Sequence, residues 1–137
     1  MTTNGGSNWR DVSRGLPPDH ADFTSALIRS NDILVSADGD SGGVFLMQKD
    51  GDLWNRLNLN DQSVSVLAVR GPVIFAAGFG GLMASTNSGT DWFTADNGLY
   101  PQGLPDVNAV LWVQNELFAG LNFGGVYKLL IPQKIPH

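Results

Sequence analysis

The sequence predicts an all-β chain in which one antiparallel unit is used three times. Three observations carry this expectation. A Gly-Gly pair followed by two apolar residues recurs at Gly42-Gly43-Val44-Phe45, Gly80-Gly81-Leu82-Met83 and Gly124-Gly125-Val126-Tyr127. Two apolar stretches divided by a short segment precede every pair. The composition agrees: 17 glycines and only 15% charged residues suit many short strands joined by tight turns. A self-similar period of this size marks a repeat architecture.

Each element follows in order. In the first unit Ser25-Ala26-Leu27-Ile28 and Ile33-Leu34-Val35-Ser36 flank Ser30-Asn31-Asp32. In the second, Val66-Leu67-Ala68-Val69 and Val73-Ile74-Phe75-Ala76 flank Arg70-Gly71-Pro72. In the third, Val110-Leu111-Trp112-Val113 and Leu117-Phe118-Ala119-Gly120 flank Gln114-Asn115-Glu116. Short, turn-forming links between β-rich runs make antiparallel hairpins. With the Gly-Gly segment as third strand, the expected strands are 23–29, 32–37 and 42–48, then 63–69, 72–78 and 80–86, then 107–113, 116–121 and 124–130.

A further motif completes the unit. Ser85-Thr86-Asn87-Ser88-Gly89-Thr90-Asp91-Trp92 fits the Asp-box pattern Ser/Thr-x-Asp/Asn-x-Gly-x-x-Trp, as do Thr2, Asn4, Gly6 and Trp9 at the N-terminus. A degenerate copy from Met47 keeps Gly51 and Trp54, with Asp50 one place late. A hydroxyl and an amide or carboxylate beside a tight turn bond the turn's own backbone, the glycine supplies positive φ, and the tryptophan packs beneath. These residues are therefore read as structural. On these motifs the chain resembles the Asp-box (BNR-repeat) β-propellers, among them sialidases, sortilin-type receptors and photosystem assembly factors.

The resemblance implies four-stranded blades, with the box joining the third and fourth strands away from the ligand face. The blades fall at about 14–58, 59–95 and 96–130, with 131–137 as a tail. Trp54 and Trp92 are expected inside fourth strands, and residues 8–13 form a fourth strand with no blade of their own. Propellers use about 4 to 8 blades. Three blades leave open edges, and the expected solution is a six-bladed homodimer in which residues 8–13 latch onto the partner's third blade. A fragment of a longer propeller is the alternative.

Composition excludes several function classes. A net charge of −5 with scattered basic residues argues against a nucleic-acid partner. No cysteine is present, so thiol chemistry and disulfides are excluded. Residues 1–10 have no apolar core to act as a signal peptide, no stretch is long enough to span a bilayer, and the compartment stays open.

The resemblance places ligands at loops entering each first strand and between second and third strands. The candidate ligand-binding residues there are His20, Asp22, Asp38, Asp40, Asp61, Phe79, Tyr100, Asp106, Asn122 and Phe123. Carboxylates and aromatics on a concave face suit a glycan or small ligand, although acidic residues at loop tips are also ordinary turn formers. Arg29 and Arg70 end inner strands and are candidates to face the channel. A sialidase-type site needs a third arginine, and the corresponding place in the last repeat holds Val113 or Gln114. No residue is assigned a catalytic role; no cofactor is expected. Asp38-Gly39-Asp40-Ser41-Gly42 starts like a calcium loop, but Gly42 and Lys49 stand at ligand positions, so no metal is expected either. The reading is a non-catalytic binding or assembly module, with a glycoside-hydrolase-like fragment and a structural segment of a larger protein as alternatives.

Overall fold

The computed structural model describes residues 1–59, 63–78, 81–95, 106–122 and 124–129. Among these there is no helix, and the strands form three antiparallel sheets. The first contains β1 (Asp22–Ile28), β2 (Asp32–Asp38), β3 (Gly43–Gln48) and β4 (Asn55–Arg56) in that order. The second repeats it with β5 (Val64–Arg70), β6 (Val73–Gly78), β7 (Gly81–Ser85) and β8 (Phe93–Thr94). The third has β9 (Val107–Val113), β10 (Glu116–Leu121) and β11 (Gly125–Leu129). Nine of the strands therefore lie where the repeat placed them. The tail at 131–137 and most of the link at 96–106 lie outside the described residues.

The registers show how closely the units correspond. Leu27 pairs with Leu34, Ala68 with Phe75, and Leu111 with Phe118. Each first strand also shifts register near its N-terminal end, opposite the close of the second strand. Such irregularities bend a strand and increase its twist. At the opposite end the strands turn tightly, helped by left-handed Gly71 (φ 59°) and Gln114 (φ 55°).

The sheets pack face to face. Leu34 and Val44 of the first share a core with Val64, Leu67 and Ile74 of the second, joined by Leu59 from the intervening link. Phe75, Ala77 and Leu82 on the second sheet's other face meet Val107, Leu117 and Ala119 of the third. Each large apolar side chain buried this way contributes about 1.5–3 kcal/mol. Ser36 is fully buried in the first of these interfaces without cost, because it hydrogen-bonds Thr24, whose hydroxyl donates to the Val64 carbonyl at 2.8 Å. A third cluster, with Phe45, Met47 and Trp54, lies on the first sheet's outer face, and Leu16 and Ala21 cover part of it.

The box turn at 85–92 is built as its chemistry requires. The Ser85 hydroxyl accepts from Gly89 N at 2.8 Å and donates to Asn87 Oδ1 at 2.9 Å, and Asn87 Oδ1 accepts from Asp91 N at 2.9 Å. Gly89 sits at φ 88°, with its Cα against Leu57, so a side chain there would meet both strain and a neighbour. Thr2, Asn4 and Gly6 repeat these bonds near the N-terminus. In the degenerate copy Met47 has no hydroxyl and Gly51 does not adopt positive φ. That turn closes instead through Gly51 N to the Gln48 carbonyl at 2.8 Å.

Two expectations about the box tryptophans need correction. Trp54 and Trp92 do not lie inside the fourth strands, which begin one residue later at Asn55 and Phe93. The Trp54 amide instead donates to Arg14 O, outside its own sheet. Trp92 is only half-buried, whereas Trp54 is buried. Within the single chain, residues 8–13 join no strand ladder among the described residues, and Trp9 is 74% exposed. Met1 and Arg10 exchange backbone bonds there, at 2.8 Å each.

Candidate functional site

The first sheet gathers four of the expected ligand-binding residues at one end. His20 turns the chain into β1 through a left-handed backbone (φ 59°), and its carbonyl accepts from Ser41 N at 2.9 Å. This ties the loop before β1 to the loop after β2. The contact is so close that a Cβ on Gly39 would lie 2.5 Å from the His20 carbonyl oxygen, which explains the glycine. Asp22 and Asp38 stand opposite one another in the ladder. Asp38 also accepts from Gly39 N at 2.8 Å, and Asp40 is exposed at the tip.

The third sheet repeats the arrangement with different groups. Asn122 N donates to Asp106 O at 2.8 Å, and its side-chain amide donates to the Asp106 carboxylate at 3.2 Å. In the second sheet the same approach is tighter still: a Cβ on Gly78 would fall 1.8 Å from the Ser63 carbonyl oxygen. Asp61, Phe79, Tyr100 and Phe123 lie outside the described residues. No hydrogen bond or ion pair among the described residues joins the first-sheet group to Asp106 and Asn122.

Directly opposed carboxylates such as Asp22 and Asp38 weaken a ladder rather than support it. Their oxygens can accept from ligand hydroxyls, while His20 and Asn122 can both donate and accept. This combination suits a hydroxyl-rich or cationic ligand. Among the described residues no three His, Cys, Asp or Glu side chains gather to hold a metal.

The arginines at the other end serve a purpose that the sequence did not reveal. Arg29 makes a two-pronged pair with Asp32, with Nε at 2.6 Å and both side chains largely buried. Its remaining nitrogen reaches across to Gly71 O and Ser88 Oγ in the second sheet, each at 3.3 Å. Arg70 repeats the reach from second sheet to third, donating to Gln114 O at 3.1 Å and to Asn115, with its guanidinium 5.3 Å from the centre of the Trp112 ring. Arg29 and Arg70 thus clasp neighbouring sheets and do not form a free anion site. An arginine at the same repeat position in two units was the available signal.

The structure also reveals a cleft of about 880 Å³ that the sequence did not suggest, between residues 10–18 and the outer face of the first sheet. Phe23 and Met47 line it with Val12 and Leu16. Trp54 helps position the segment, donating its indole N–H to Val12 O at 2.7 Å, and Arg14 pairs with Asp52 at 3.0 Å. No helix among the described residues is long and apolar enough to cross a membrane. No family model matches the chain, and neither a curated protein nor a solved structure matches it.

Proposed function

We propose that this chain is a non-catalytic binding and assembly module of the Asp-box propeller type, and that two copies close a six-bladed ring around a ligand-binding loop face. The observation that carries the reading is the contrast between equivalent side chains on successive sheets. Val44, Leu82 and Val126 occupy one repeat position and are 0%, 1% and 75% exposed. Ala68 and Leu111 occupy another and are 7% and 63% exposed. The face that buries the next sheet in the first two units is thus apolar and bare in the third. On the first sheet, the opposite face leaves Phe23 and Ile28 exposed. Two such faces fit one another as successive sheets within the chain already do.

Six units fall within the range of about 4 to 8 that rings of this kind use. A two-fold ring would present the His20, Asp22, Asp38 and Asp40 group and the Asp106–Asn122 pair twice each. Glycans and other polyhydroxylated small molecules match these acceptors, and the function would be recognition without turnover. Light scattering on a gel-filtration column across a dilution series tests the assembly. The expected mass is twice 14.7 kDa; a single-chain mass at every concentration overturns the ring. Glycan-array binding that falls with Asp38→Asn or Asn122→Ala supports the loop face. Turnover of aryl glycosides would overturn the non-catalytic assignment.

A further inference from the structure

The outer edge of β11 carries no paired strand among the described residues, whereas β3 and β7 each carry one there. In the first sheet Phe45 faces Arg56, and Leu57 N donates to Val44 O at 2.8 Å. In the second, Met83 faces Thr94, and Ala95 N donates to Leu82 O at 2.7 Å. Arg56 and Thr94 both stand two residues after the box tryptophan. Phe45 and Met83 both stand two residues after the second glycine of the Gly-Gly pair. The same count from Trp9 reaches Asp11, and from Gly125 it reaches Tyr127.

The N-terminal segment is already held as a fourth strand is held on its far side. Leu57, the last residue to bond the first sheet's edge, leans on Gly89 in the box of the second sheet. Val12, its counterpart, receives the indole N–H of Trp54 from the box of the first sheet. Among the described residues no third strand runs along its other edge. Among those residues that side is met by Met1, which stands to Arg10 as Leu46 stands to Asn55.

We infer that Asp11 and Val12 of one copy pair antiparallel with Tyr127 and Val126 of a second copy, with Asp11 opposite Tyr127 and Val12 N donating to Val126 O. The inference rests on the ring proposed above and adds its joint and register. Met1 already holds Arg10, so the ladder ends there and Lys128 of the second copy remains with Glu116, to which it is paired at 3.1 Å. Val126 passes from bare to covered, as Val44 and Leu82 are.

The register can be read directly by cross-linking. Residues facing each other between hydrogen-bonded pairs lie about 4.5 Å apart at Cα, within the roughly 4.4–6.8 Å that a disulfide spans. The full chain has no cysteine of its own, so Asp11→Cys with Tyr127→Cys introduces the only thiols. Mild oxidation should give a covalent two-chain species on non-reducing gels, which returns to the single chain on reduction. The neighbouring combination Arg10→Cys with Tyr127→Cys points its thiols to opposite faces and should remain largely unlinked.

A dimeric mass without this link, or equal linking by both combinations, overturns the register and leaves the ring standing. A link closed within one chain overturns exchange between copies. A single-chain mass with no link removes both. A ladder of linked multiples supports the pairing and overturns closure by two copies.

Discussion

Replacing Ser85 by alanine should cost far more than making the same change at Thr2, although both residues open the same motif. Ser85 is fully buried, and its hydroxyl accepts from Gly89 N at 2.8 Å while also engaging Asn87. Its removal leaves a buried amide without a partner, which costs about 1–3 kcal/mol. Thr2 makes the equivalent bond to Gly6 N at 3.2 Å in an exposed turn, where water replaces the hydroxyl. A loss within about 0.5 kcal/mol is expected there, as at ordinary surface sites. With an unfolding entropy of ~2.1 cal/mol/K per residue, a chain of this length has about 0.29 kcal/mol/K, so 2 kcal/mol lowers Tm by roughly 7 °C. Calorimetry at one fixed protein concentration keeps any association constant between variants. Equal shifts for Ser85→Ala and Thr2→Ala would refute the reasoning that burial, rather than the motif itself, sets the energy of the turn.

Other outcomes follow from the same geometry. Trp54→Ala should destabilise by about 3–5 kcal/mol, and Trp92→Ala, half-buried, by clearly less in the same denaturant titration. Arg29→Ala leaves largely buried Asp32 without its partner and should cost about 3–5 kcal/mol, part of which Asp32→Asn restores in the double variant. Gly78→Ala forces a Cβ into the Ser63 carbonyl and should prevent the native loop contact, read as lost amide-exchange protection around β6, whereas Gly71→Ala meets open space and should cost about 1 kcal/mol for its positive φ. The Ser13 side chain and amide hold Asp11 below the ordinary aspartate pKa of 3.8. Its contribution is therefore present above that value and lost as pH falls through the lowered one. Ser13→Ala should move the Asp11 titration upward in carboxyl-carbon NMR.

Strand positions were legible because alternation and turn chemistry act locally. Val66-Leu67-Ala68-Val69 next to Arg70-Gly71-Pro72 admits few other readings, and β5 and β6 form there. The loop pairing of His20 with Ser41 was legible only as neighbouring loops, since the His20 carbonyl that makes it carries no side-chain signature. The two clasps escaped for another reason. An arginine at a strand end suits a channel ligand and a neighbouring turn equally well, and only the stacking of sheets decides that Arg29 reaches Gly71 and Arg70 reaches Gln114. The tryptophans show the limit of motif reading. Trp9, Trp54 and Trp92 occupy one pattern position, yet their exposure follows what lies against each, which a single motif does not encode.

Those clasps also give the stack a direction. Each guanidinium points forward onto a carbonyl of the following turn, so donors lie on one side of a sheet and acceptors on the other. Turning one sheet over would set cation against cation at one junction and carbonyl against carbonyl at the next, with nothing to relieve either. Hydrophobic faces alone would tolerate back-to-back stacking, because apolar contact is nearly indifferent to orientation. The arginines break that symmetry. Within the three stacked sheets they act as a polarity code that admits head-to-tail order and rejects its reverse, a form of discrimination by mismatched charge.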